Sequence, residues 1–322
     1  GIAEEKLESA KALHRLADDS DTTRIAIVQM EDIVPLVLLV RDGTNSQKEI
    51  AAEALGLLAN GNDATRIAII QEGGIAPLVA LVRDGTDSQK ENAAEALSRL
   101  ANGNDATRIA IIQEGGIAPL VALAVNGTSD QRMYARDALE SLVCLNDDSR
   151  HAICAPLVAL VQDGTEWQKE NAAEVLSRVA IGNDATRIAI TQEGGVAPLI
   201  ALSVDGKLNQ RTYAVGALKS LMSLNDESLH AICAPLVALV RDGSDSQKEN
   251  AAGALGGLAN DNDATQSAIA QEGGIAPLVA LVRDGSDSQK EKAAEALHLL
   301  ADWEGWRQRW SRWCGMEWIR RK

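Results

Sequence analysis

Aromatic residues and cysteines are scarce in this 322-residue chain. It has no Phe, two Tyr and six Trp, so aromatic residues make up 2% of the chain while hydrophobic residues make up 46%. Aliphatic side chains and alanine must therefore form the core, which favours closely packed helices. Four Cys without a Cys-x-x-Cys pair argue against a disulfide scaffold and favour a reducing, intracellular compartment. No apolar run approaches the ~20 residues of a membrane-spanning helix, so we expect no transmembrane segment.

Basic residues are also in the minority, with 31 Lys and Arg against 46 Asp and Glu and a net charge of −15. Repulsion from phosphate groups argues against nucleic acid as a partner of the body of the chain. The sequence has no Gly-x-Ser-x-Gly, His-Glu-x-x-His or phosphate-loop motif, so we expect neither enzymatic activity nor a cofactor. The chain begins with Gly1, which leaves open the cytoplasm or, if a targeting segment was removed, an organelle.

The seven prolines mark an internal repeat. They recur at intervals of 42 or 37 residues, at Pro35, Pro77, Pro119, Pro156, Pro198, Pro235 and Pro277. We number the repeats 1 to 7 by these prolines. Repeats 4 and 6 are the short ones, and a long repeat with a short one forms a 79-residue block that occurs twice. Periods of this length indicate a solenoid or a similar array.

Each long repeat predicts three helices. In repeat 2, Asp63 is the predicted N-cap of a short first helix, which Gly73 and Gly74 end. Pro77 falls in the first turn of a second helix, which buries Leu78, Leu81 and Val82. A capping box of Ser88 and Glu91 is predicted to begin the third helix, whose apolar stripe is formed by Ala93, Leu97 and Leu100. The period of that stripe is helical.

The repeat resembles the armadillo repeat. The resemblance rests on Gly-Gly-Ile-Ala-Pro-Leu-Val-Ala-Leu-Val from Gly73, followed by Gln-Lys-Glu-Asn-Ala-Ala-Glu-Ala-Leu from Gln89. It covers residues 1–302, with a lone third helix over 7–17 and then seven repeats. It implies an all-α, right-handed superhelix in which the third helices line a concave groove.

One branch of the family that the chain does not match is importin-α, the receptor for nuclear-import signals. Those proteins carry a Trp in the middle of the third helix and an Asn four residues later. The Trp-equivalent positions here are Glu53, Glu95, Asp137, Glu174, Gly216, Gly253 and Glu295. The Asn-equivalent positions are Leu57, Arg99, Ser141, Arg178, Ser220, Gly257 and Leu299. Because both ladders are missing, recognition of import signals by that route is not expected.

Carboxylates take the place of these ladders. One turn before the Trp-equivalent row lie Glu49, Glu91, Met133, Glu170, Thr212, Glu249 and Glu291. Facing rows of carboxylates attract cationic segments, so all these acidic positions, with Arg99 and Arg178, are candidate partner-binding residues. The alternative is an ordinary solvated helix surface with i, i+4 ion pairs such as Glu95–Arg99 and Glu174–Arg178.

The short repeats lack the corner between the first and second helices, which should change how one repeat rotates onto the next. They carry the pairs His151–Cys154 and His230–Cys233. A metal site needs three or four ligands, so we interpret these residues as fillers of the shortened corner and expect no metal.

Residues 303–322 form a separate segment by composition. They hold five of the six Trp and a net charge of +4. Trp303, Trp306, Trp310 and Trp313 fall on one helical stripe, with Arg307 and Trp318 nearby in sequence. This tail is either a cap on the last repeat or an anchor for a partner.

The sequence thus predicts a non-enzymatic scaffold or adaptor that binds another protein through the groove and, if the tail is an anchor, through the tail as well. The alternative is a structural subunit assembled permanently into a larger complex.

Overall fold

The computed structural model describes residues 33–60, 63–260 and 262–301, together with Glu8, Lys11, Ala12, His14 and Arg15. Every regular element in this part of the chain is an α-helix, which confirms the predicted all-α fold class. The five isolated N-terminal residues are helical; the rest of the lone helix predicted over 7–17 lies outside the described residues.

The helices follow the repeats. Repeats 1 to 3 contain α1 (Ile33–Asp42), α2 (Asn45–Ala59), α3 (Asp63–Gln71), α4 (Ile75–Asp84), α5 (Asp87–Ala101), α6 (Asp105–Gln113), α7 (Ile117–Asn126) and α8 (Ser129–Leu142). Repeats 4 and 5 contain α9 (Asp147–Asp163), α10 (Glu166–Val179), α11 (Asp184–Gln192), α12 (Val196–Asp205) and α13 (Leu208–Met222). Repeats 6 and 7 contain α14 (Asp226–Asp242), α15 (Asp245–Ala259), α16 (Asp263–Gln271), α17 (Ile275–Asp284) and α18 (Asp287–Ala301).

Two glycines make the corner in repeats 2, 3, 5 and 7. Gly73 has a φ of 71°, a left-handed conformation that side chains disfavour. A Cβ at Gly74 would lie 2.8 Å from Cγ2 of Ile69, so the second glycine allows a close approach. The chain turns by 78° between α3 and α4 and by 88° between α6 and α7.

The short repeats have no corner. Without the glycine pair, the first and second helices merge into the single 17-residue helices α9 and α14. Pro156 and Pro235 therefore lie inside a helix, whereas Pro77 is the third residue of α4. The missing residues remove a whole bend of the backbone, not only a loop.

The helix caps differ from the prediction by one or two residues. The third helix of repeat 2 begins at Asp87, and its capping box is formed by Thr86 and Gln89 instead of Ser88 and Glu91. Thr86 has extended dihedrals, as an N-cap requires, while Ser88 already lies within the helix. The first helix begins at Asp63 itself, and the equivalent helix α6 is capped by Asn104.

The core is aliphatic, as the composition predicts. Ala93, Leu97 and Leu100 of α5 are fully buried, and Leu78 of α4 is fully buried as well. By its internal contacts the chain divides into a first half, Gly1–Leu160 with Gly164–Val175, and a second half, Val161–Asp163 with Leu176–Lys322. In the first half α2, α5 and α8 pack side by side, and in the second half α15 packs against α18.

A glutamine links each third helix to its surroundings. Gln89 accepts a hydrogen bond from the Thr86 N–H at 3.1 Å and donates from Nε2 to the carbonyl of Asn45 at 3.3 Å. Gln131 and Gln289 donate in the same way to the first residue of the preceding third helix, Asp87 and Asp245. This bond fixes the register between neighbouring third helices in repeats 2, 3 and 7.

The register changes at both short repeats. Gln168 donates to Oδ1 of Asn126 and Gln247 to Oδ1 of Asp205, each at 3.1 Å. Asn126 and Asp205 are the last residues of second helices. The third helix of a short repeat thus attaches to the end of the preceding second helix. Asn171 and Asn250 repeat this change by donating to the carbonyls of Val125 and Val204, whereas Asn92 donates to the carbonyl of Glu49.

None of the described helices is by itself long and apolar enough to cross a membrane. Only when the two helices of the bent pairs α3–α4 and α6–α7 are taken together do their length and apolar composition reach those of a membrane span.

Candidate functional site

All the predicted partner-binding residues lie on third helices. In the first half they are Glu49 and Glu53 on α2, Glu91, Glu95 and Arg99 on α5, Asp137 on α8, and Glu170 and Glu174 on α10. In the second half they are Arg178 on α10, Glu249 on α15, and Glu291 and Glu295 on α18. Because α2, α5 and α8 pack side by side, the first half brings the largest set together.

Three Trp-equivalent carboxylates of the first half lie beside basic side chains. Oε1 of Glu53 lies 3.0 Å from Nε2 of His14, and Oε1 of Glu95 lies 2.7 Å from Nη2 of Arg99. Glu174 pairs with Arg136 of the preceding repeat, a partner that spacing within one helix does not reveal. The two arginines reduce the negative potential along this row.

Glu95 is less accessible than a surface residue. Its side chain is 18% exposed, and it also accepts a hydrogen bond from Tyr134 on α8. Burial and the neighbouring Glu95 carboxylate raise the pKa of Tyr134. Glu95 therefore does not project freely into solvent: Glu95, Arg99 and Tyr134 form a polar contact between repeats 2 and 3. Glu53, whose side chain is 43% exposed, is the more accessible of the two.

Glu91, in the row one turn earlier, lies near two other carboxylates. Burial, followed by repulsion from Asp130 and Glu95, raises the pKa of Glu91. Asp130 lies in the first turn of α8, so the Glu91 and Asp130 carboxylates come from adjacent repeats. Two negative charges thus come together near the N-terminal ends of α5 and α8. Asp130 belongs to neither groove row, so the sequence pattern did not indicate it.

The acidic positions of the second half are fewer and lie beside small residues. Nζ of Lys292 lies 3.2 Å from Oε2 of Glu295, and Cδ of Lys292 would lie 3.5 Å from a Cβ at Gly253. A Cβ at Gly216 would lie 2.7 Å from Oγ of Ser177. Packing against Ser177 thus accounts for Gly216.

The His-x-x-Cys pairs of the short repeats do not form a metal site in the described residues, where no cluster of three potential ligands occurs. Nδ1 of His230 lies 2.6 Å from Oε1 of Glu272 in the next repeat. Cys233 is fully buried, and burial, with a smaller contribution from Glu272, raises the pKa of its thiol to about 12. A protonated thiol is a poor metal ligand, which agrees with a packing role.

The tail residues Trp303, Trp306, Arg307, Trp310, Trp313 and Trp318 lie outside the described residues, so the choice between a cap and an anchor remains a prediction.

Comparison with known proteins supports the sequence resemblance. A family model for the Armadillo/beta-catenin-like repeat matches residues 62–102, which is repeat 2. Twenty residues of this repeat, Asn62 to Leu81, recur unchanged from Asn104 to Leu123. Repeat 2 is therefore an armadillo repeat, and the chain resembles armadillo-repeat proteins. No curated protein matches the chain.

Three solved structures that resemble this chain are engineered or designed proteins. An engineered protein from the Northeast Structural Genomics Consortium is 29% identical with a TM-score of 0.58, over 93% of this chain and 75% of that chain. A designed armadillo repeat protein is 21% identical with a TM-score of 0.47, over 83% and 99% of the two chains. Another, in complex with the peptide (KR)4, is 19% identical with a TM-score of 0.47, over 84% and 99%. Armadillo solenoids present extended surfaces on which other proteins bind.

Proposed function

We propose that this protein is a non-enzymatic scaffold whose first half binds a basic segment of a partner protein. The observation that carries the proposal is that Glu91 lies near Asp130 and Glu95: burial first, and then repulsion from these two carboxylates, raises the pKa of Glu91. A cationic group from a partner would relieve this repulsion. Attraction between oppositely charged surfaces increases both the association rate and the specificity of binding.

The helices provide a prearranged surface for such a segment. Glu49, Glu91 and Glu170 occupy equivalent positions on α2, α5 and α10, and hydrogen bonds from buried glutamines hold neighbouring helices in register. A surface that is ordered before binding loses little conformational entropy when the partner docks. The row formed by Glu53, Glu95 and Glu174, which lie beside basic side chains, supports the fold and lies beside the proposed binding row.

The proposal is tested with labelled octalysine, a basic peptide without aromatic or apolar groups. Fluorescence anisotropy should detect binding that weakens by at least tenfold between about 50 and 300 mM salt, since screening reduces attraction between exposed charges. The double variant E91Q/D130N should weaken binding about tenfold or more. The control E72Q/E114Q removes two charges from exposed positions near the ends of first helices and should stay within about twofold of the parent.

Equal losses in the two double variants would show that net charge, and not the Glu91 and Asp130 site, attracts the peptide. Absence of binding at low salt would contradict the proposal altogether.

The alternative function is that of a subunit built permanently into a larger complex. It predicts concentration-dependent self-association or aggregation of the isolated chain, which light scattering after size-exclusion chromatography would detect.

A further inference from the structure

Trp167 is an exposed aromatic residue that the core does not use. It is the second residue of α10, and half of its surface is accessible to solvent. The equivalent residues of the other six repeats are small or polar: Ser46, Ser88, Asp130, Asn209, Ser246 and Ser288. The solenoid therefore does not require an aromatic side chain at this position.

The ring of Trp167 already binds one guanidinium. Cζ of Arg132 lies 4.6 Å from the ring centroid, within the distance of a cation–π interaction. Nη1 of Arg132 also donates to the carbonyl of Gly127 at 3.0 Å, which limits the movement of the guanidinium. Arg132 thus holds the ring in place and leaves half of the Trp167 surface for another group.

Trp167 lies where the register of the third helices changes. The next residue, Gln168, donates to Asn126, and Asn171 one turn later donates to Val125. Both acceptors belong to the end of α7 and not to α8. The bonds hold the first turn of α10, and with it Trp167, at the boundary between repeats 3 and 4.

A carboxylate shares the helix face of this ring. Glu170 follows Trp167 by three residues on α10 and so lies on the same face. Met133, near the start of α8, is also exposed. An exposed aromatic ring with a carboxylate on the same helix face suits a cation that is flat enough to stack.

We propose that Trp167 and Glu170, here called the Trp167 subsite, bind an arginine side chain of the partner's basic segment. The inference rests on the proposed function and names the partner chemistry of one part of the proposed binding surface. Arginine fits better than lysine because a planar guanidinium stacks on an aromatic face and is more weakly hydrated than an ammonium group.

The second 79-residue block provides an internal comparison. It has the same register change at Gln247 and Asn250, and Arg211 stands in the place of Arg132. Ser246 and Thr212 replace Trp167 and Met133. The proposed subsite therefore depends on side chains particular to the first block, and a serine at the Trp167 position is already compatible with this geometry.

The test compares octaarginine with octalysine, two peptides of equal charge, on the full chain. The parent should bind octaarginine about tenfold more tightly than octalysine, as expected for a contact with a tryptophan at the centre of an interface. W167S should abolish this preference and leave octalysine affinity within about twofold. The control variant L208N removes another exposed apolar residue at the start of a third helix, 70% exposed, and should retain the preference.

The outcomes separate this inference from the proposed function. If both peptides bind and W167S keeps the arginine preference, the Trp167 subsite is wrong while the acidic binding surface stands. If L208N loses the preference as W167S does, general apolar adhesion explains it and the subsite is again wrong. If neither peptide binds, both proposals fail. Circular dichroism melting of W167S should match the parent, since the residue is exposed.

Discussion

At the scale of single residues, Glu91 is a carboxylate that lies near other carboxylates. Three acidic groove residues of the first half, Glu53, Glu95 and Glu174, lie beside a basic side chain, which is His14, Arg99 or Arg136. Glu91 instead lies near Asp130 and Glu95, and its pKa is raised. Carboxylates with shifted pKa values are enriched at functional sites, so the raised pKa of Glu91 agrees with a role in binding.

The raised pKa predicts a pH-dependent cost in stability. The native state binds a proton at Glu91 more readily than the unfolded chain does, so ionised Glu91 destabilises the native state at pH 7. This destabilisation decreases as pH falls through the raised pKa of the native state, and it is lost below the pKa that Glu91 has in the unfolded chain. E91Q should therefore have a higher midpoint of thermal unfolding than the parent at pH 7, and the two should converge below about pH 4.

Thermal unfolding followed by circular dichroism between pH 3.5 and 7.5 would check this prediction. E114Q, on the exposed end of α6, makes the same change in net charge and serves as the control. A lower stability of E91Q at pH 7 would show that Glu91 makes a favourable contact and would contradict the sign argued here. A gain in stability combined with a loss of octalysine binding would identify Glu91 as a residue kept for binding.

At the scale of helices, proline and glycine made the repeat largely predictable. The Gly-Gly corner, the proline early in the second helix and the apolar stripe of the third helix each have one local physical cause, and the structure confirms all three in repeat 2. The merging of helices in α9 and α14 was only partly predictable. The missing corner was evident, but a proline usually begins a helix, and packing keeps Pro156 and Pro235 inside one.

The contacts between repeats were the main feature that sequence reasoning missed. Glutamine in a helix normally indicates a solvated surface, yet Gln89 and Gln131 are buried and hold the register. A signal was available, since Gln occupies this position in all seven repeats: Gln47, Gln89, Gln131, Gln168, Gln210, Gln247 and Gln289. The pairs Glu174–Arg136 and Glu95–Tyr134 have no such signal, because they depend on the rotation between neighbouring repeats.

The merged helices predict that replacing proline with alanine changes the free energy of unfolding at Pro235 but hardly at Pro77. Pro235 lies in the interior of α14, where proline removes a backbone hydrogen bond and costs up to about 3 kcal/mol relative to alanine. P235A should therefore raise the free energy of unfolding by about 1–3 kcal/mol. Pro77, in the first turn of α4, leaves no such bond unmade, so P77A should change it by less than about 0.5 kcal/mol.

Chemical denaturation of the two variants would measure these differences. Because both substitutions convert the same residue in nearly identical local sequences, P77A controls for the change in the unfolded chain. Destabilisation by P235A would mean that the bend imposed by proline is needed for packing of α14 against α15, and that α14 is not simply a continuous helix with one bond missing.

At the scale of the whole molecule, the composition divides the chain into an acidic repeat region, residues 1–302, and a basic tail, residues 303–322, and this division remains a proposal. The tail follows α18, the third helix of repeat 7. Within α18, Ala293, Leu297 and Leu300 are buried, whereas Glu291 and Glu295 are exposed. Residues 303–322 do not continue the repeat pattern, so the tail is the segment that directly follows repeat 7.

The cap hypothesis predicts that the tail stabilises repeat 7 in particular. Burying about half of each Trp ring contributes roughly 2 kcal/mol before the cost of ordering the tail. Neighbouring repeats in a solenoid stabilise one another mainly through nearest-neighbour contacts. A chain that ends at Ala301 should therefore show faster amide hydrogen exchange over residues 263–301 and little change before residue 200.

Two sets of substitutions separate apolar burial from charge. Serine in place of all four of Trp303, Trp306, Trp310 and Trp313 should reproduce the faster exchange. Glutamine in place of Arg307, Arg309 and Arg312 should not, because the cap acts through apolar burial. Exchange that is equally slow in the truncated chain would contradict the cap and favour the partner-anchor hypothesis for the tail.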